Sequence, residues 1–275
     1  MSTAFQVLNL QPFHSGGNGD LFLGVRSDSG ERVVVKYLRE FHLPHARKAF
    51  LREVRVLARK LRGFMPLLGW NLEDQKPFYV MPYLPATLTQ YSGKLNQQSL
   101  HAVATDLALT LANLHATGVA HGDIKPDNIL VSNEGHLQVA DPLGNGVGCT
   151  VVLSQNRGGT PGYWAPEILG GASISLAGDV YSYGATLYQL LTGQRPVDGQ
   201  KFDSAKITVA PKLWEIICAC CHSAPSSRPT MPEVLRILNG EQWTNIRIAK
   251  QNERLLIWLC VLAGLLVMLG FMTTE

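Results

Sequence analysis

The stretch at residues 121–130, HGDIKPDNIL, constrains this chain more than any other part, because it places three reactive side chains on one short segment. Asp123 supplies a carboxylate, Lys125 a cation and Asn128 a carboxamide. The apolar run at 129–131 predicts a buried strand, so the polar residues before it are expected on a loop. A carboxylate that accepts a hydroxyl proton and a cation beside a moving phosphate are what phosphoryl transfer requires. The loop therefore predicts phosphoryl transfer.

A second carboxylate, Asp141, closes another short apolar run at 137–140. Carboxylate and carboxamide oxygens are the ligands that Mg²⁺ prefers in proteins. Two short strands that each adjoin such a side chain bring these oxygens near one another if the strands pair. The sequence therefore predicts a magnesium site that uses Asn128 and Asp141.

The 121–130 segment resembles the catalytic loop of the eukaryotic-type (Hanks-type) serine/threonine protein kinases, with Gly122 where Arg is usual. Small-molecule phosphotransferases carry a similar loop, so the rest of the chain has to separate the two classes. The segment at 159–167, GTPGYWAPE, is nearly the end of a kinase activation segment, which the small-molecule enzymes lack. An amphipathic helix at 178–193 and the segment SSRPT at 226–230 follow in the family's order. Agreement of several motifs in order favours a protein kinase.

This resemblance implies an α+β fold with two lobes, a small β-rich N-lobe and a mainly helical C-lobe. It covers most of the 275 residues. The predicted kinase domain is 1–240, divided into an N-lobe at about 1–81, a hinge at 82–85 and a C-lobe at 86–240.

The resemblance also assigns a nucleotide site. The segment at 13–22 resembles the glycine-rich loop, whose backbone amides approach phosphates closely because glycine has no Cβ. Lys36 ends a β-branched strand that resembles the family's phosphate-binding strand, and Glu53 is the only acid in the helix predicted to begin near Pro44. The hinge backbone is expected to meet adenine. The residues assigned to ATP are Gly16, Gly17, Gly19, Leu21, Val34, Lys36, Glu53, Met81 (the gatekeeper), Pro82 and Leu84.

Catalytic and structural roles follow from the same resemblance. Asp123 is the expected base for the acceptor hydroxyl, and Lys125 neutralises charge on the γ-phosphate. Lys125 together with Thr160 is typical of serine/threonine kinases, so protein Ser or Thr hydroxyls are the expected acceptors. ATP and Mg²⁺ are the implied cofactors, with Mn²⁺ as an alternative metal held by Asn128 and Asp141. Structural support is expected from a Glu167–Arg228 ion pair and from Asp179, which would brace the catalytic-loop backbone.

Two departures from the family pattern bear on activity. In many kinases an arginine at the position of Gly122 pairs with a phosphate on the activation loop. Because Gly122 lacks that cation, activity without activation-loop phosphorylation is expected. Pro142 and Leu143 follow Asp141 where the family has Phe and Gly, which removes an amide donor from the turn. These departures, with His14 in place of the first loop glycine, leave a pseudokinase scaffold as an alternative. Thr150, Ser154 and Thr160 are candidate autophosphorylation sites.

The segment from Leu255 to Met272 has eighteen residues without charge or proline. As a helix it measures about 27 Å, which is enough to cross a hydrocarbon core. A basic linker at 241–254 precedes it and a short tail at 273–275 follows, so the positive-inside rule leaves the kinase domain in the cytoplasm. A membrane-tethered kinase is therefore expected, and a bacterial inner membrane and a eukaryotic tail anchor both fit. A buried C-terminal helix is the alternative.

Charge and cysteine content narrow the remaining classes. The net charge of +3 comes from 24 basic and 21 acidic residues, so nucleic acid is not an expected partner. The five cysteines lack the spacing of a metal site and are expected as core thiols in a reducing compartment. The segment at 39–62 holds eight Arg or Lys and two acids. This segment is either an ordinary exposed face or a contact surface for anionic lipid or an acidic regulator.

Overall fold

The computed structural model describes residues 5–16, 19–143, 145–146, 162–202, 210–253, 258 and 261. Gly17 and the candidate phosphorylation sites Thr150, Ser154 and Thr160 lie outside these residues. So does the predicted membrane span at 255–272, apart from Trp258 and Val261. Within the residues that the structure does describe, no helix is both long and apolar enough to cross a bilayer.

The N-terminal part is a twisted antiparallel sheet with one helix packed on it. Its elements are β1 (Val7–Gly16), β2 (Gly19–Arg26), β3 (Arg32–Tyr37), α1 (Pro44–Leu57), β4 (Gly69–Asn71) and β5 (Phe78–Pro82). The strands lie in the order β1-β2-β3-β5-β4. The alternation along β3 sends Val33 and Val35 to one face with Phe5, while Val34 joins the main core on the other face. Both faces of β3 are therefore buried.

Helix α1 begins at Pro44, as the sequence predicted, because proline has no amide to leave unpaired in a first turn. Phe50, Val54 and Leu57 are buried at helical spacing. Glu53 lies on the same buried face and is only 5% exposed. Helix α1 therefore turns an acid, together with its apolar stripe, toward the sheet.

The second part is mainly helical and confirms the predicted two-part α+β architecture. Its elements are β6 (Ala86–Thr87), α2 (Gln97–His115), β7 (Val119–Ala120), β8 (Ile129–Val131), β9 (Leu137–Val139), β10 (Asn145–Gly146), α3 (Pro166–Leu169), α4 (Leu176–Thr192), α5 (Pro211–Cys220) and α6 (Met231–Leu238). Helix α4 is the buried centre of this part. Ser175 caps its first turn, and Gly193 ends it with a left-handed φ of 76°.

The β8–β9 hairpin positions the predicted catalytic residues. Ile129 pairs with Val139, so Asn128 and Asp141 flank the same end of the hairpin. The Ala140 amide donates to the Asn128 carbonyl over 2.9 Å, which extends the pairing one step further. The Met65 amide donates to the Val139 carbonyl over 2.9 Å and ties this hairpin to the loop after α1. The site residues therefore rest on paired backbone.

Part of the predicted linker is folded onto the domain. Residues 243–253 are helical. Trp243 and Ile246 are buried within the main core, and Lys250 Nζ lies 3.1 Å from Glu233 Oε2 on α6. Cys220 and Cys221 are buried free thiols, as expected from the sequence, whereas Cys218 is partly exposed and Cys149 and Cys260 lie outside the described residues. Residues from the predicted linker therefore pack against the fold that precedes them.

Candidate active site

The centre of the site is a buried lysine shared by two carboxylates. Lys36 Nζ donates to Glu53 Oε1 over 2.6 Å and to Asp141 Oδ1 over 2.8 Å. Strand β3 supplies Lys36, α1 supplies Glu53, and the turn after β9 supplies Asp141. The predicted Lys36–Glu53 ion pair is present, and the lysine also joins the N-terminal sheet to the helical part.

Burial and charge act against each other in this group. Burial raises the pKa of Glu53, and the adjacent Lys36 ammonium opposes that shift. Burial by itself would also raise the pKa of Asp141, but the Lys36 ammonium outweighs it and lowers the pKa on balance. Although burial disfavours a charged lysine, the two carboxylates raise the pKa of Lys36. Lys36 therefore carries a positive charge between two acids, as a phosphate-binding cation must.

Asp123 is held by the other polar residues of its own loop. Lys125 Nζ donates to Asp123 Oδ2 over 2.8 Å. Asn128 Nδ2 donates to the same oxygen over 2.7 Å and to the Asp123 carbonyl over 2.8 Å. One carboxylate oxygen thus accepts two hydrogen bonds, which leaves the other able to accept a proton from an acceptor hydroxyl.

The donor set fits a magnesium ion. Because the Asn128 amide nitrogen donates twice to Asp123, the amide oxygen is the atom left for a cation. Asp141 contributes a carboxylate at the same end of the hairpin. A hard cation accepts such oxygens together with those of substrate phosphates. Asn128 and Asp141 would therefore hold the metal, which supplies charge stabilisation on the phosphates.

Asp179 accepts hydrogen bonds from the backbone of the predicted catalytic loop, as expected from the sequence. Its Oδ2 accepts from the His121 amide over 2.7 Å, and its Oδ1 accepts from the Gly122 amide over 2.8 Å. His121 is buried, with Nε2 3.0 Å from the Ala140 carbonyl, and its Nδ1 accepts from the Asp123 amide over 3.2 Å. Burial lowers the pKa of His121, which favours the neutral ring that these two contacts need.

Glycine at position 122 has a local structural reason. Its φ is +86°, and an added Cβ would lie 2.9 Å from the Ile174 side chain. The Leu143 amide donates to the His121 carbonyl over 2.7 Å, so the Asp141-Pro142-Leu143 turn packs against the same place. Asp141 itself has a φ of +56°. Apolar side chains occupy the surroundings in which an arginine at 122 would have to fit.

The glycine-rich hairpin lies beside Lys36. Gly16 pairs with Gly19 at its tip, and Leu21 pairs with Lys36. An added Cβ on Gly19 would lie 2.6 Å from the Tyr37 carbonyl, so only glycine allows β2 this close to β3. A side-chain hydrogen bond also connects the hairpin to the segment after β3, because Arg39 Nε donates to Asp20 Oδ1 over 3.0 Å. His14 pairs with Leu21, and the pairing register shifts by one residue between Pro12 and His14, as in a β-bulge.

The predicted adenine region combines apolar side chains with a backbone carbonyl that points away from β3. Val34 and Met81 are buried opposite each other on β3 and β5. The Tyr83 amide donates to the Arg32 carbonyl over 3.1 Å. Bonded and non-bonded pairs alternate in antiparallel strands, so the Pro82 carbonyl points away from β3. The Pro82 carbonyl is therefore not used in pairing with β3, and Leu84 follows Pro82 in the connection to β6.

The segment 162–167 is anchored by the predicted Glu167–Arg228 ion pair. Arg228 Nη1 lies 2.6 Å from Glu167 Oε1, and Nη2 lies 2.8 Å from Oε2, a two-pronged contact. The Gly162 amide donates to Asp198 Oδ1 over 2.6 Å. A Cβ at Gly162 would lie 2.0 Å from the Pro196 carbonyl, so the segment 162–167 is closely fitted to the loop after α4.

Two supporting contacts were not expected from the sequence. The Tyr79 hydroxyl on β5 donates to Glu53 Oε1 over 2.6 Å. His115 Nε2, at the end of α2, lies 2.9 Å from Asp179 Oδ2. Neither residue belongs to a motif, and a tyrosine in a strand or a histidine in a helix's last turn reads as ordinary packing. Only the tertiary structure pairs them with the site.

Comparison with known proteins supports the resemblance of this chain to protein kinases. The chain is 27% identical to LRR receptor kinase SERK2 of Oryza sativa subsp. japonica over 86% of this chain and 47% of that protein. It is 30% identical to probable serine/threonine-protein kinase PkwA of Thermomonospora curvata over 83% of this chain and 34% of that protein. It is 34% identical to serine/threonine-protein kinase PknK of Mycobacterium bovis over 67% of this chain and 17% of that protein. The chain spans less than half the length of these curated relatives. Residues 10–238 match the protein kinase domain, and the chain belongs to that family.

Proposed function

We propose that this chain is a membrane-tethered serine/threonine protein kinase that transfers the γ-phosphate of ATP to protein Ser or Thr hydroxyls. The observation that carries the proposal is Lys36 held between Glu53 and Asp141, because this arrangement readies a cation for nucleotide phosphates. The serine/threonine assignment is supported by Lys125 and by the similarity to the serine/threonine-protein kinases PkwA and PknK.

Each residue has one task in this proposal. Lys36, aligned by Glu53, binds the α- and β-phosphates, while the glycine-rich hairpin covers them. Asn128 and Asp141 hold the metal. Asp123 orients the acceptor hydroxyl and takes its proton, and Lys125 neutralises charge on the γ-phosphate. The largest part of the rate enhancement comes from positioning and charge stabilisation, as in other phosphoryl transfers.

Activity without activation-loop phosphorylation is a second part of the proposal. It is supported by the apolar side chains of Ile174 and Leu143 beside Gly122. They occupy the space in which an arginine that binds a phosphorylated activation loop would lie. The test is the double variant Thr150→Ala and Ser154→Ala, which leaves Thr160 in place because that residue also belongs to the serine/threonine-kinase pattern. We expect it to retain most of the wild-type rate, and a loss of about 100-fold or more would contradict independence.

Membrane tethering is the third part. It is supported by the uncharged run at 255–272, whose length and apolar character fit a membrane-spanning helix. Alkaline extraction of membranes from expressing cells tests this part. The chain should stay in the pellet, and release into the supernatant would remove the anchor.

The catalytic proposal is tested by transfer from radiolabelled ATP to protein substrates. The wild type should label serine and threonine, whereas the Asp123→Asn variant keeps the shape of the site but loses the base. Label no higher than that of the variant would favour the pseudokinase alternative, for which Pro142 and Gly122 are the motivation. Label in small molecules but in no polypeptide would favour a small-molecule phosphotransferase.

A further inference from the structure

We propose that Tyr79 is a positioning residue for phosphoryl transfer, acting through Glu53 on Lys36. The Tyr79 hydroxyl donates to Glu53 Oε1 over 2.6 Å, and Lys36 Nζ donates to the same oxygen over 2.6 Å. The ammonium also lies 5.7 Å from the centre of the Tyr79 ring. The inference rests on the roles proposed above for Lys36 and Glu53.

Burial makes the Tyr79 hydroxyl important. Tyr79 is 0% exposed and Glu53 is 5% exposed, so water is poorly placed to replace a lost donor. A buried carboxylate that loses a hydrogen-bond partner suffers the cost of its desolvation without compensation. Glu53 is therefore held in its inward orientation by two donors, one from β3 and one from β5.

The ring of Tyr79 fixes where its hydroxyl can reach. Phe50, one helical turn before Glu53, lies with its ring centre 5.4 Å from that of Tyr79. Tyr79 also pairs with Lys36 across β3 and β5. The tyrosine thus contacts α1 through Phe50 and Glu53 while its backbone is set beside Lys36. It joins the helix and the sheet at the point where the ion pair forms.

Lys36 is shared, and this makes the orientation of Glu53 matter. Its ammonium contacts both Glu53 and Asp141, and Asp141 is the proposed metal ligand. If Glu53 turns away, Asp141 becomes the stronger partner for the ammonium. Lys36 is then drawn toward the metal ligand and away from the phosphates. Tyr79 therefore favours the arrangement in which Lys36 binds nucleotide.

The test compares Tyr79→Phe with a matched loss of a buried hydroxyl elsewhere. Tyr183 on α4 is also 0% exposed, and its hydroxyl donates to the Ala104 carbonyl over 2.9 Å, among residues that do not line the site. We expect Tyr79→Phe to lower kcat/KM for ATP about tenfold and to leave KM for the protein substrate unchanged. Tyr183→Phe should leave both constants near wild type. Equal effects of the two substitutions would overturn the proposal.

A double-mutant cycle separates positioning from simple packing. In a Glu53→Met background the acceptor is gone, so Tyr79→Phe should cause no further loss of kcat/KM for ATP. A tenfold loss that persists in this background would show that Tyr79 acts without Glu53, which overturns the proposal. Calorimetry of a non-hydrolysable Mg-ATP analogue gives a second readout, in which Tyr79→Phe should bind several-fold more weakly than Tyr183→Phe. If the wild type proves inactive, the proposed function fails but this binding comparison still decides the role of Tyr79.

Discussion

At the residue scale, the backbone conformation at position 122 determines which amino acid can occupy it. Its φ of +86° is left-handed, and Ile174 fills the space beside it. We expect Gly122→Ala to lower the free energy of unfolding by about 2–3 kcal/mol, because backbone strain and crowding add. Gly118 has a φ of +71° with no atom near a new Cβ, so Gly118→Ala should cost only about 1 kcal/mol. Urea unfolding measures both, and equal costs would contradict the contact with Ile174.

His121 predicts a pH dependence of stability. Because burial lowers its pKa below the ordinary value of 6.5, the unfolded chain binds a proton that the folded chain disfavours. The stabilisation is therefore complete above about pH 6.5 and is lost as the pH falls through the folded pKa. Denaturant unfolding of the wild type and of His121→Gln from about pH 5 to 8 should show a flatter acid limb for the variant. His45→Gln, at an exposed position, is the control and should keep the wild-type slope.

At the element scale, the exposed face of α1 is positively charged. Lys48, Arg52 and Arg55 recur three or four residues apart on α1, and among the described residues no carboxylate lies within ion-pair distance of Lys48 or Arg55. Like charges three or four residues apart destabilise a helix. We therefore expect Lys48→Glu to raise the free energy of unfolding by about 0.5–1 kcal/mol, measured by urea unfolding, because it places an acid near the start of α1 and four residues before Arg52.

The neutral variant Lys48→Gln is the matched control and should give about half that gain. A loss of stability in Lys48→Glu would contradict the charge argument. The same variant separates the two interpretations of this face. Weaker binding to anionic vesicles than wild type would favour a lipid contact, and unchanged binding would favour an ordinary exposed surface.

The elements also show what sequence alone can predict. The start of α1 at Pro44 and the end of α4 at Gly193 were predictable, because proline and glycine act through local backbone geometry. The Lys36–Glu53 pair was predictable only through family resemblance. Tyr79 was not, because its hydroxyl reaches Glu53 across 26 positions of sequence and no local pattern encodes that contact. The packing of helix 243–253 onto α6 was missed for the same reason.

At the scale of the whole molecule, the account depends on two parts of the chain meeting at one cation. Lys36 comes from the sheet, and Asp141 comes from the helical part 105 positions later. Asn128 reaches the same place through the β8–β9 pairing. The protein kinase family places nucleotide at such a junction. The site exists only when the two parts are correctly joined.

Isothermal titration calorimetry with a non-hydrolysable ATP analogue and Mg²⁺ tests this junction most directly. The account predicts saturable binding of one nucleotide per wild-type chain, which is lost in Lys36→Met and weakened at least tenfold in Asp141→Asn, because these side chains hold the phosphates and the metal. An absence of binding heat in the wild type, or equal affinity in all three proteins, would contradict it.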